Sequence, residues 1–367
     1  MSTIVLLSEH YYFSKKKAGF HFLARELSRL GHQVVFITTP MSFLSLVKNR
    51  SLTKEDGFVY NIFSPLYRDH VISIINFNIL HPIERNSKFL EYFFLVFYTL
   101  NCRSKKQIKR ADIIIFESCN ALLFYKRIDR INRNANKIYR MSDDIEMLRS
   151  PSILRKAQEA VIDRFDSISV PTSYLYSKYK NKNDKVYLDY HGVDSEAFDN
   201  CVVNPYKIYG SKINHVFVGI SNLDYRFLQI ASKCFPDHLF HVIGPHRDVI
   251  KGQNIIYHGY LKYEETIGFI KFANVGLQIR SNENSIAYSL SDSLKVLQYS
   301  YCKLPVICPA VMKEYSHRRN LFYYEYDNPS SIADCIDQAV KFDRASFSNS
   351  DILNWNQVAR KLIARTK

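Results

Sequence analysis

Ile4-Val5-Leu6-Leu7 and Gln33-Val34-Val35-Phe36-Ile37-Thr38 bracket the stretch of sequence that decides the fold. Each is an apolar run of strand length with no polar alternation, the pattern of a strand buried on both faces. Between them Phe20, Phe22, Leu23, Leu27 and Leu30 recur at helical spacing, and Gly31 ends the series. Strand, helix and strand in quick succession open a doubly wound parallel sheet. The loop after the first strand lacks the GxGxxG dinucleotide fingerprint.

The alternation continues downstream. Asp112–Glu117 (DIIIFE), Lys137–Arg140 and Ser167–Val170 read as further strands, with a helix over Ile153–Phe165. After His191-Gly-Val-Asp194 a polar stretch through Ser211 reads as a connector, and His215–Gly219 restarts the pattern. Helix Tyr225–Cys234, strands Leu239–Ile243 and Asn254–His258, helix Tyr263–Ala273, strand Val275–Ile279, helix Leu290–Tyr301 and strand Pro305–Cys308 follow. At 367 residues the chain exceeds the size of one growing core. The expected division is 1–205, 206–345 and a C-terminal helical segment, 346–367, packing back on the first domain. Two such domains facing each other place their strand ends on an interdomain cleft, where ligands bind in this architecture.

Hydrophobic residues make up 47% and charged residues 23%, a globular composition. The 50 Lys and Arg exceed the 35 Asp and Glu by 15 charges, and 26 Tyr and 25 Phe accompany them. Nucleic acid, anionic lipid and nucleotide substrates all suit that balance. No ribonucleoprotein signature, zinc-finger spacing or helix-turn-helix cue is present, so nucleic-acid binding is the weaker alternative. The seven cysteines include no CxxC pair, against both a disulfide framework and a zinc site. Ile4–Leu7 is too short for a signal-peptide core. Phe89–Leu100 (FLEYFFLVFYTL) spans about half of the roughly 20 residues of a membrane-crossing helix and contains Glu91. A cytoplasmic protein is expected.

Five segments in order carry a family resemblance: Ser8–Asn49, FES at 116–118, YRMSDD at 139–144, DYHGVDSEAF at 189–198, and Tyr257–Pro309. The last includes HGYLKYEETIGFIKFANVGLQIR, YSLSDSLKVLQY and KLPVICP. The chain resembles the xanthan-type glucuronosyltransferases, similar to glycosyltransferase family 70, over nearly its whole length. The resemblance implies an α/β protein of GT-B architecture, with two Rossmann-like doubly wound domains, the first binding acceptor and the second the nucleotide sugar. It implies inverting transfer, foremost of glucuronic acid from UDP-glucuronate to a polyprenyl-diphosphate-linked glycan in exopolysaccharide or capsule biosynthesis. Another UDP-hexose or a GDP-sugar is the alternative donor.

Inverting transfer needs a base for the acceptor hydroxyl and positive charge for the departing diphosphate. Asp143 follows a strand at the cleft side and matches the family's catalytic aspartate. Asp144 replaces a family glycine, so either carboxylate could face inward, and capping of the next helix is the structural alternative. Lys295 matches the donor-contacting lysine, on a helix whose start at Ser289–Ser293 would aim N–H groups at a diphosphate. Gln298 lies one turn on. Ser221, Tyr260, Leu261, Arg280, Ser293 and Leu294 complete the implied nucleotide-sugar contacts. Tyr260 stands where the family has glutamate, and Arg280 where it has tyrosine. No Asp-x-Asp motif with apolar flanks appears, so metal-independent transfer without a cofactor is expected. Glu117 could bind acceptor hydroxyls or be satisfied by its neighbours. His21, His191 and His241 have no Ser or Cys nucleophile beside them in sequence, which argues for structural or ligand-positioning roles. Lys15–Lys17 with Tyr11, Tyr12 and Phe13, and Phe89–Leu100 with the bases at 103–110, could form a surface that holds the protein peripherally on the anionic inner membrane leaflet.

Overall fold

The computed structural model describes residues 1–48, 50–78, 98–146, 152–181, 184–220, 222–246, 250–281, 292–316 and 318–366. Strand β1 (Thr3–Ser8) lies parallel to β2 (Gln33–Ser42) on one side and to β5 (Ile113–Glu117) on the other. With β3 (Leu66–Arg68), β4 (Val71–Asn78), β6 (Asn136–Arg140), β7 (Ser167–Val170) and β8 (Val186–Leu188) they form an eight-stranded sheet in the order β3-β4-β2-β1-β5-β6-β7-β8. Only β3 runs antiparallel. Ile4, Val5, Leu6 and Leu7 are completely buried, as an apolar run covered on both sheet faces must be.

The helix Gly19–Arg29 buries Phe20, Phe22, Leu23, Ala24 and Leu27. His21 serves its start: Nδ1 accepts from the Ala18 N–H at 3.0 Å and Nε2 donates to the Tyr11 carbonyl at 2.8 Å. Burial drives its pKa down to about 3, so it is a neutral structural group.

No strand is expected from the sequence between 39 and 111, yet β3 and β4 form a hairpin there. Ser73, Asn76 and Asn78 interrupt the apolar pattern of β4, but they are buried and satisfied. The Asn61 amide donates to the Ser73 carbonyl at 2.9 Å, and Asn76 Oδ1 accepts from the Asn101 N–H at 2.8 Å. Asp69 and His70 make the turn with φ of 52° and 58°, the left-handed pair of a tight two-residue hairpin.

A second sheet contains β9 (Asn214–Val218), β10 (Leu239–Ile243), β11 (Ile255–Gly259), β12 (Val275–Leu277), β13 (Val306–Pro309) and β14 (Leu321–Tyr324). All are parallel, in the order β11-β10-β9-β12-β13-β14. One face carries a core around Val216, Ile267, Val296 and Tyr299, the other a core around Phe217, Phe227, Phe240 and Ile336. Helix Tyr225–Cys234 and strand Ser167–Val170 form over the residues expected. The helix expected at Leu290–Tyr301 runs over Leu294–Tyr301, and 290–291 lie outside the described residues.

Two units result: Met1–Pro171 with Leu175–Asp189 and Trp355–Lys367, and Thr172–Tyr174 with Tyr190–Asn354. The main boundary thus falls at 189/190 and not at 205/206, because Val193, Phe198 and Tyr206 pack into the core of the second unit. Ile352 does the same, so only the chain from Trp355 returns to the first unit. There helix Trp355–Ile363 packs on helix Gly19–Arg29, with Trp355 stacked on Phe22 at 5.7 Å.

Tyr11, Tyr12 and Phe13, expected at a membrane-facing surface, are at most 6% exposed. They pack among Phe36, Phe58 and His21, which removes them from any lipid contact. Residues 89–97 of the apolar run lie outside the described residues.

Candidate active site

Each sheet reverses its winding at one place, between β1 and β5 in the first unit and between β9 and β12 in the second. In open α/β sheets, ligands bind beyond the carboxyl ends of the strands at such switch points. Both places are built from chemistry-bearing residues.

In the first unit Glu117, only 4% exposed, ends β5 and joins three loops. Its Oε2 accepts from the Ser8 hydroxyl at the end of β1 at 2.5 Å. Its Oε1 accepts from the Ser142 hydroxyl beyond β6 at 2.8 Å. Ser118 Oγ accepts the backbone N–H groups of Ser142 and Asp143 at 2.9 and 3.0 Å. Glu117 is therefore occupied by protein hydroxyls, and with Ser118 it fixes the turn that presents Asp143. His10 Nε2 stands 3.9 Å from the same carboxylate. Desolvation first and the charge of Glu117 second push the Glu9 carboxyl up, against the pull of His10 and with the help of Asp143.

The two neighbouring aspartates have different surroundings. Asp144 is buried and accepts the Lys178 ammonium at 2.7 Å, while its Oδ1 accepts the Glu146 N–H at 3.0 Å. Burial alone would lower Lys178, but hydrogen bonds to Asp144 and Glu146 overcome it and raise its pKa. Asp143 is exposed. Of the pair, Asp143 has the solvent access that a base needs.

In the second unit Gly219 follows β9 and Gly244 follows β10. Gly244 has φ of 141°, and a Cβ there would meet the Gly219 carbonyl oxygen at 1.7 Å, so no other residue fits. Lys295 Nζ lies 2.9 Å from where a Cβ of Gly219 would stand. A side chain there would occupy the space of the ammonium. Lys295 is the second residue of helix Leu294–Tyr301, and the Ser293 hydroxyl caps that helix by accepting from the Val296 N–H at 3.5 Å. Desolvation, then the charge of Arg280, brings the Lys295 pKa down to about 7. His246, whose Nε2 donates to the Gly219 carbonyl at 2.9 Å, is lowered by burial, with Lys295 and Arg280 adding to the effect. Arg280 itself is placed beyond β12 by a backbone bridge to Leu223 and by the Tyr326 hydroxyl, which donates to its carbonyl at 2.9 Å.

Of the residues expected to hold a nucleotide sugar, Ser293, Leu294, Lys295 and Gln298 share one helix start, and Arg280 lies within electrostatic reach of Lys295. Tyr260 (44% exposed) and Leu261, which packs against the core, follow β11, whose Gly259 carbonyl accepts from the Gly244 N–H at 2.8 Å. Ser221 lies outside the described residues. Gly219, Gly244, His246, Ser118 and Glu9 were not among the expected site residues. The signal for the glycines is visible in HVFVG at 215–219 and HVIG at 241–244, where each closes an apolar strand. His241 accompanies His258 and Asn214, each at 3.0 Å, and burial lowers its pKa to about 3, a structural role. Among the described residues no group of three or more His, Cys, Asp or Glu could hold a metal, and all seven cysteines are free.

Residues 6–171 match the family model described as glucuronosyltransferase GumK, N-terminal domain. Over 98% of its length the chain is 28% identical to the UDP-glucuronate:glycolipid 2-beta-glucuronosyltransferase of Xanthomonas campestris pv. campestris, covering 88% of that protein. Among solved structures, Anabaena HepE in complex with UDP and glucose superposes with a TM-score of 0.66 at 10% identity, covering 99% of both chains. The trehalose 6-phosphate synthase of Burkholderia multivorans superposes with a TM-score of 0.54 at 11% identity, covering all of this chain and 93% of that one. These structural likenesses establish the fold. With the GumK match and two doubly wound sheets, they identify the chain as a glycosyltransferase of the GT-B fold whose N-terminal domain is of the GumK glucuronosyltransferase type.

Proposed function

We propose that this enzyme transfers glucuronic acid from UDP-glucuronate, with inversion, to a lipid-linked oligosaccharide in exopolysaccharide or capsule biosynthesis. The observation that carries the reading is the resemblance to the Xanthomonas glycolipid glucuronosyltransferase along 98% of the chain. The chemistry of the two switch points supports it.

In this mechanism Asp143 accepts the proton of the acceptor hydroxyl as that oxygen attacks the anomeric carbon. The bond from that carbon to the diphosphate breaks, and UDP departs with the bonding pair. Lys295, Arg280 and the N-terminal end of helix Leu294–Tyr301 stabilise the charge that develops on the diphosphate. With a pKa of about 7, Lys295 takes up a proton readily when an anion arrives. Transfer proceeds without a metal or a cofactor, since cationic side chains supply the charge.

A lipid-linked acceptor calls for a surface at the inner leaflet. Phe43, Val47, Val59, Tyr60, Phe63 and Tyr67 of the first unit are exposed apolar or aromatic residues. Arg103 donates to the Ile62 carbonyl at 2.5 Å and ties helix Phe58–Phe63 to helix Cys102–Arg110, which exposes Lys105, Lys106, Lys109 and Arg110. Apolar side chains beside bases suit an anionic bilayer surface. No described helix is long and apolar enough to cross a membrane.

Calorimetric titration of UDP, UDP-glucuronate, UDP-glucose and GDP-mannose, with and without EDTA, tests the donor. UDP-glucuronate is expected to bind tightest and EDTA to change nothing. Preference for another nucleotide sugar would replace the donor, a possibility that the Tyr260 and Arg280 departures from the family pattern keep specific. A loss of binding in EDTA would overturn the metal-free mechanism.

A further inference from the structure

Backbone groups and one imidazole stitch together the strand ends of the basic switch point. The Gly219 N–H donates to the Ile243 carbonyl at 2.9 Å, and the Gly244 N–H to the Gly259 carbonyl at 2.8 Å. The Gly219 carbonyl turns to the His246 ring and accepts from Nε2 at 2.9 Å. The His246 backbone N–H donates to the Gly244 carbonyl at 2.9 Å, a tight turn after β10 that fixes where the ring starts. A Cβ on Gly244 would come within 2.9 Å of Nε2, so that glycine also admits the ring.

The ring stands among cations. His246 packs on Phe217 with 5.5 Å between ring centroids, and Lys295 Nζ lies 5.6 Å from the centroid of the same Phe217 ring. Burial first, then Lys295 and Arg280, hold the His246 pKa below its ordinary value, against the hydrogen bond to Gly219. Among the described residues no carboxylate pairs with the ring or with Lys295. A carbonyl only accepts, so Nε2 carries the proton of the neutral ring, and Nδ1 accepts from the Tyr225 hydroxyl at 3.2 Å. Protonating Nδ1 breaks neither bond, because the hydroxyl can turn and accept where it had donated. Only desolvation and the two cations oppose the charge, and a dianion bound beside them reverses that balance.

We infer that His246 is a third cationic residue of the diphosphate site, neutral in the free protein and an imidazolium once a nucleoside diphosphate is bound. It also keeps the Gly219 carbonyl, a partial negative charge at the end of β9, turned to a donor. This role rests on the proposed reading of the site as the diphosphate's. It is separable from that of Lys295, because at pH 6 an ammonium with a pKa of about 7 is already about nine-tenths charged. Proton uptake on binding at pH 6 therefore reports His246.

The test is calorimetry of UDP-glucose and UDP-glucuronate binding to the full chain at pH 6 and pH 8.5. Buffers of different ionisation enthalpy give the number of protons taken up. Each phosphate of a nucleotide sugar carries one strongly acidic group, ionised throughout this range, so the ligand itself takes up none. His246→Gln keeps an N–H for the Gly219 carbonyl but cannot be charged. At pH 6 the unsubstituted protein should take up about half a proton or more, and His246→Gln less than about 0.2. The affinity of His246→Gln should fall about fivefold or more at pH 6 and by a smaller factor at pH 8.5, where little imidazolium forms. His246→Phe, which removes the donor as well, should lose affinity at both pH values. The inference is overturned if the unsubstituted protein takes up no proton at pH 6, or if His246→Gln takes up as much. An equal loss of affinity at both pH values in His246→Gln would mark a merely structural ring and overturn it too. Failure of the diphosphate reading looks different: the unsubstituted protein would bind neither nucleotide sugar at either pH.

Discussion

The two switch points occupy the same topological place in their sheets and have opposite chemistry. In the first unit, the ends of β1, β5 and β6 bring together Glu9, Glu117 and Asp143 with serine hydroxyls. In the second, the ends of β9, β10 and β12 bring together Lys295, Arg280 and His246 over two glycines. Topology decides where a site forms, and side chains decide whether it takes a proton or an anion. The acidic side projects a carboxylate on a turn braced by Glu117 and Ser118. The basic side has glycines at two strand ends and an ammonium beside them, which in the proposed mechanism lets a diphosphate approach backbone and ammonium together.

The contrast is open to attack at three points. Asp143→Asn removes the proposed proton acceptor and keeps the shape, so turnover in a transfer assay should fall by about 10²–10⁴-fold, the usual value of a general base. Equal turnover in the variant would place the base elsewhere in the acidic cluster.

A smaller effect concerns Lys295. Bound diphosphate favours its charged form, so binding raises its pKa above the free value of about 7. Nucleotide affinity should therefore weaken as pH rises above 7, by up to about tenfold per unit until the bound-state pKa is reached, because a proton must then be taken up with the ligand. Lys295→Arg, which stays charged, should flatten that slope in titrations from pH 7 to 9.

The smallest effect is on stability. His215, His238, His241 and His258 of the second unit have folded-state pKa values lowered by burial. Their stabilising neutral state is fully present above the unfolded value near 6.5 and is lost as pH falls below it. For buried His241, with a folded pKa of about 3, the loss by pH 5 is about 2 kcal/mol. The single tryptophan, Trp355, reports the first unit. The first unit has two such groups, His21 and His32, against these four in the second, so at pH 5 circular dichroism should show melting before Trp355 fluorescence changes, whereas at pH 7.5 the two should lie closer together.

The strands were legible where burial on both faces writes an uninterrupted apolar run, as in Ile4–Leu7 and the segment Ile113–Glu117. They were illegible where buried polar groups interrupt it, as Ser73, Asn76 and Asn78 do in β4. The domain boundary was misplaced because polar residues around 195–211 look like a linker, while Val193, Phe198 and Tyr206 anchor that stretch to a core. At the candidate site, Asp143 and Lys295 were named through the family resemblance and not from a local pattern. The partners that define them were not readable, because Glu117, Ser118 and Ser142 meet only through the parallel pairing of β5 with β6. Likewise, neither the Lys178 pairing that sequesters Asp144 nor the close approach of Gly219 and Gly244 is written in any local pattern.

The central claim is that proton removal and diphosphate binding belong to different units. Its most direct test is calorimetric binding of UDP to Asp143→Asn and to Lys295→Met. The account predicts that Asp143→Asn binds UDP within twofold of the unsubstituted protein, and that Lys295→Met binds at least tenfold more weakly. Weakened UDP binding in Asp143→Asn, or unchanged binding in Lys295→Met, would contradict it.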